Sequence, residues 1–153
     1  MKKGFTLIEL LVAMAIIGVL ATLVLANLSD ARARARDSKR KSELTALKTS
    51  LRLYYNDNQT YPTNNASNEI VACGAAGNEA CPAEGEFSLG ISPDDTVYMK
   101  QLPDEYAYTQ QDSGQGFLLS VVLENASDPD LTTSAAACGV ASPASLTYYV
   151  CAD

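Results

Sequence analysis

The sequence predicts an α+β protein, in which one long N-terminal helix is packed along its second half by a small C-terminal antiparallel sheet. Three observations carry this. Proline is absent from Met1 through Tyr61, and Gly18 is the only glycine between Phe5 and Cys73, so nothing in that span has to break a helix. Leu44, Leu47, Leu51 and Tyr54 or Tyr55 recur at three- and four-residue steps, the period of one helical face. Downstream, "FLLSVVLE" and "LTYYVC" are short Val-, Leu- and Tyr-rich runs bounded by turn residues, which is how strands read.

Taken in order, the chain begins with a basic leader, residues 1–4, that ends in Gly4. Residues 5–28 follow, with only Thr6, Glu9, Thr22 and Asn27 polar. As a helix this segment is about 36 Å long, enough to cross a hydrocarbon core of about 30 Å. It is too long for a cleaved secretory signal, and helical patterning continues through its end. The acid at Glu9 stands out, because an ionised carboxylate in hydrocarbon costs several kcal/mol unless it is paired.

Residues 29–57 continue as an amphipathic helical stem, stopped by Asn56-Asp57-Asn58 and then Pro62. The run Arg32–Lys41 has two readings: a solvated face near anionic lipid, or pairing with acids on the heads of neighbouring copies. Counting bases would place this stem in the cytoplasm. The cysteines argue for the opposite side, since an even number in a loop-rich region behind a membrane segment suits an oxidising compartment.

Residues 58–153 form the head. After Pro62 comes a turn-rich connector with little periodicity. "TVYMKQLP" reads as a short strand or a helical turn. "EYAYTQQ" alternates and pairs with "FLLSVVLE" as a hairpin, and "LTYYVC" adds a further strand. The stretch between the last two, "NASDPDLTTSAAACGVASPAS", reads as a loop. A sheet of three or four strands then covers the leucine stripe. Cys73, Cys81, Cys138 and Cys151 contain no CxxC pair, which argues against a redox dithiol or zinc knuckle. Of three possible connectivities, Cys73–Cys81 and Cys138–Cys151 are favoured because each closes a short loop.

Composition excludes several functions. The 153 residues hold no His and no Trp, which removes His-dependent nucleophile arrangements and the common zinc sites. No acid/base couple stands out, so no catalytic residue is named and an enzyme is not expected. Formal net charge is −7, unevenly distributed. Residues 29–56 carry eight bases against three acids, whereas from Asp57 onward there are fourteen acids against Lys100 alone. Such a head does not bind nucleic acid by neutralising phosphates.

"KKGFTLIELLVAMAIIGVLA" resembles the N-terminus of type IV pilins and of the pseudopilins of type II secretion. The match is strong over about the first thirty residues and looser in the stem and architecture. The resemblance implies that a prepilin peptidase cuts between Gly4 and Phe5 and that Phe5 is N-methylated. Glu9 then serves assembly, paired with a Phe5 ammonium of its own chain or of a neighbour. It implies self-assembly into a helical filament, with the peptidase, an inner-membrane assembly platform and membrane lipid as partners. The precursor is expected to be single-pass in the inner membrane, and the product to lie in an extracellular pilus or a periplasmic pseudopilus. The main reading is a structural pilus subunit and the alternative a major pseudopilin; a DNA-uptake or adhesion pilin is less favoured. Members commonly carry a proline at the position of Ala26. Major pseudopilins hold calcium in a C-terminal loop, and Asp128 and Asp130 are the nearest candidates here, with Glu84, Glu86, Asp94 and Asp95 elsewhere. No EF-hand spacing supports them, and no cofactor is expected.

Overall fold

The computed structural model describes the backbone of residues 6–90 and 95–152 and, apart from residues 23–27, their side chains. The protein is α+β and forms two compact units, residues 1–36 and 37–153. One helix, α1 (Leu7–Asn58), contributes to both. It continues through Gly18, where an added methyl would meet nothing within 4 Å. It ends where Gln59 turns left-handed (φ 57°) and donates its N–H to the Tyr55 carbonyl at 2.7 Å, an αL cap without glycine.

In the second unit, α1 buries Leu44, Leu47, Leu51 and Tyr54 in one core. The main sheet contains β6 (Ala107–Gln111), β7 (Gly116–Val122) and β8 (Thr147–Cys151), antiparallel in the order β6-β7-β8. Phe117, Leu119 and Val121 alternate into the core, as the two-residue period requires. Leu118, Ser120 and Val122 take the opposite face. Tyr108 is fully buried and donates its hydroxyl to the Pro62 carbonyl at 2.7 Å; burial pushes its phenol well above the ordinary value, so it remains a donor. The β6–β7 turn is fastened to the end of α1 through Gly114 (φ +93°). Its carbonyl accepts the Tyr61 N–H at 2.9 Å, and a Cβ there would strike the Thr60 hydroxyl.

Two parts of the head differ from the sequence reading. Among the described residues the connector after Pro62 contains four short strands, and the run "TVYMKQLP", read as a short strand or a helical turn, supplies a fifth. β1 (Thr63–Asn64), β2 (Ile70–Cys73) and β3 (Glu79–Ala80) form one sheet, and β4 (Phe87–Ser88) pairs with β5 (Val97–Met99). Strands of two to four residues are too short to show a period. The stretch read as a loop between β7 and β8 contains a helix, α2 (Asp130–Ala137). It begins where Asp128 Oδ1 accepts the Asp130 N–H at 2.9 Å, and only Ala135 of its residues is buried, so no apolar stripe announces it. The disulfides are Cys73–Cys81, within the connector, and Cys138–Cys151, which joins the end of α2 to β8.

The core predicts a sharp contrast on one helix. Leu51 is wholly buried and Leu53 half exposed. In the detergent-solubilised chain, Leu51→Ala should lower stability by about 2–5 kcal/mol, and Leu53→Ala by no more than about 0.5 kcal/mol. Denaturant titration followed by tyrosine circular dichroism would measure both, and equal losses would contradict the packing.

Candidate functional site

The first unit presents a helix with apolar side chains on every face. Leu7, Ile8, Leu10, Leu11, Val12, Met14, Ile16, Ile17, Val19 and Leu20 are each at least half exposed. A helix that is apolar all round belongs inside a protein assembly or a membrane. Its two polar side chains between residues 7 and 22 are held by its own backbone. Thr22 donates its hydroxyl to the Val19 carbonyl at 2.8 Å. Glu9 closes a capping box with Thr6, the residue before the helix, whose carbonyl accepts the Leu10 N–H. Glu9 Oε2 accepts the Thr6 N–H at 2.9 Å and the Thr6 hydroxyl at 2.7 Å, while the Glu9 N–H faces Thr6 Oγ1 at 3.4 Å.

The carboxylate thus has a partner that the sequence reading did not name. The signal was present, since Thr6-Leu7-Ile8-Glu9 is the T-x-x-E spacing of a capping box. Gly4 and Phe5, the expected cleavage pair, lie outside the described residues, as does the Phe5 amine. Among the described residues no helix is long and apolar enough to cross a membrane. The expected span of 5–28 includes Phe5 and side chains 23–27, which are not among them.

In the second unit, the basic residues nearest the head are engaged within their own chain. Asp37 is buried; its two oxygens accept the consecutive N–H groups of Glu124 and Asn125, each at 2.8 Å. Arg40 donates to Glu124 at 2.9 Å, to Glu105 at 3.0 Å and to Asp37 at 3.3 Å. Lys41 Nζ lies 2.6 Å from Asp128 and 2.7 Å from Asp130, and 5.5 Å from the centre of the Tyr148 ring. For Arg40 and Lys41 this corrects both readings of the basic run: neither lipid nor a neighbouring head is needed, because acids 65 to 89 residues away in the same chain fold onto them.

The calcium candidates Asp128 and Asp130 therefore face an ammonium. Glu84, Glu86 and Asp95 lie elsewhere, Asp94 is outside the described residues, and no group of three or more acids, His or Cys among the described residues could hold a metal ion.

Residues 1–25 match the prokaryotic N-terminal methylation motif. This is a prepilin-type N-terminus. The chain is 44% identical over 70 residues to the type II secretion system core protein G of Escherichia coli, covering 46% of this chain and 48% of the relative. It is 38% identical over 70 residues to core protein G of Vibrio cholerae, covering 46% and 48%. It is 39% identical over 87 residues to the type IV wide pilus major component PilA4 of Thermus thermophilus, covering 57% and 63%. The chain spans about half the length of the curated relatives it matches. No solved structure matches it.

The Lys41 pair has a pH signature. The Lys41 hydrogen bond holds the Asp128 carboxyl below its ordinary 3.8. Burial opposes the charge on Lys41, but hydrogen bonds to Asp128 and Asp130 outweigh it and raise the ammonium above its ordinary 10.5. The stabilisation is complete between those ordinary values. It is lost as pH falls through the depressed carboxyl value, or rises through the raised ammonium value. Lys41→Met should cost about 1–2 kcal/mol near neutrality, between the exposed and buried limits for ion pairs, and should flatten the acid limb of the stability profile. An unchanged acid limb in thermal melts would count against the pair.

Proposed function

We propose that this protein is the structural subunit of a type IV pilus-like filament, made as a membrane-anchored precursor and assembled through its N-terminal helix. The observation that carries this reading is the uncovered apolar helix of residues 7–22, which lies within the methylation motif of residues 1–25 and is followed by a folded, disulfide-bonded head. Such a surface needs lipid before assembly and protein afterwards. Processing falls between Gly4 and Phe5, with methylation of Phe5, and Glu9 provides a charge that a neighbour's amine can meet. Repetition of one head-to-tail contact then gives an open helical filament.

A second reading, a major pseudopilin driving protein secretion, is supported by the similarity to several core G proteins at 38–45% identity. Similarity to the wide pilus component extends further along the chain, which favours the pilus. Filaments outside the cell would support the pilus; loss of secreted proteins on deletion, without such filaments, would support the pseudopilin.

Mass spectrometry of the protein from cells should find methylated Phe5 as the first residue, and an intact Met1 would end the processing argument. The capping box allows a finer experiment. Glutamine serves the box as well as glutamate does, so Glu9→Gln keeps the helix start and removes only the charge. That variant should insert in the membrane normally and form few filaments. Normal filaments would mean that Glu9 acts as a cap and nothing more.

A further inference from the structure

The sheet face opposite the core is not fully covered. Val122 on this face is 59% exposed. Beside it runs an open cleft of about 700 Å³, floored by Ala107, Ser120 and Thr147 and edged by Asp104, Glu105 and Glu124. Arg40 also lines it. The rim of the cleft is acidic. Asp104 and Glu105 are adjacent there, and the Arg40 guanidinium reaches Glu105 but not Asp104. Asp104 is exposed and has no partner among the described residues.

Cations to meet Asp104 are present elsewhere in the same sequence. "ARARAR" (31–36) alternates arginine with the smallest side chain able to keep a helix. Arg32 and Arg34 are exposed and make no ion pair or hydrogen bond among the described residues. They stand two positions apart, on different sides of the helix, so each can address a different neighbour. The intervening alanines allow close approach of a facing surface.

Resting on the filament reading, we propose that this cleft is a docking site for a second copy of the chain. It receives the Arg32–Arg34 segment of a neighbouring subunit, with a guanidinium at Asp104 and Glu105 and the alanines near Val122. Complementary charge fixes register and rejects a wrong stagger, because like charges brought together repel. The contact is head to stem between different copies, so it propagates instead of closing.

The test is charge exchange in the full chain, with membrane insertion and head folding checked by fractionation and tyrosine circular dichroism. R32D/R34D should lower filament yield about tenfold, and adding D104R should restore it to within about threefold of native. Because all four native cysteines are paired, A35C and V122C in one chain introduce the only free thiols. On oxidation, filaments should give disulfide-linked multimers stepping by one subunit mass. Full yield from R32D/R34D, no recovery with D104R, filaments without the crosslink, or a crosslink to a different protein would each overturn the proposal and leave the filament reading standing. No filament from the native chain would overturn both.

Discussion

Folding of this chain leaves a surface that folding cannot cover. Ten large apolar side chains between Leu7 and Leu20 stand half to four-fifths exposed. Their burial is worth on the order of 10–20 kcal/mol, at about 1.5–3 kcal/mol for each side chain fully removed from water. That is comparable to the whole stability of an ordinary domain, about 5–15 kcal/mol. Such a surface calls for an apolar covering from outside the chain, and its own polar groups must be met without that covering. The Thr22 hydroxyl and the Thr6–Glu9 box meet that second requirement locally, with bonds that need no neighbour.

The head solves a different problem. A strongly acidic fold joined to a basic helix would attract that helix in many registers. Asp37 selects one by accepting two successive backbone N–H groups just beyond β7. A carboxylate can meet that pair of donors in few orientations, so the bond is directional where the ion pairs of Arg40 and Lys41 are not. Lys41 then holds the start of α2 through Asp128 and Asp130, and the Cys138–Cys151 bond holds its end. The small helix that buries only Ala135 is therefore fixed by charge and by sulfur more than by apolar packing.

What could be read in the sequence follows from distance along the chain. The leucine stripe, β7 and β8 announce themselves through periodicity, because their neighbours on one face are a few residues away. The prepilin-type start is a local motif, and so is the capping box, in which Glu9 is a cap as well as a charge. The roles of Arg40 and Lys41 were not legible. Their partners lie 65 to 89 residues away, and a run of bases looks the same whether it faces lipid, a neighbour or its own head. The four short strands of the connector and α2 escaped for a related reason. Each is held by contacts made elsewhere, and two to four residues carry no period of their own.

Glu9 joins these threads. Both bonds from Thr6 go to Oε2, and Oε1 has no partner among the described residues. One oxygen therefore starts the helix, and the other is left open to a cation. Thr6 and Glu9 also both lie on the retained side of the proposed Gly4–Phe5 cut, so the box survives processing. Such a cut would add an ammonium one residue before the cap without removing a donor from it. A neutral partner at Oε1 would leave the charge uncompensated in a low-dielectric core, where that costs most. An amine satisfies charge and hydrogen bonding together. The acid thus need not exchange its cap for assembly, since it can serve both through different oxygens.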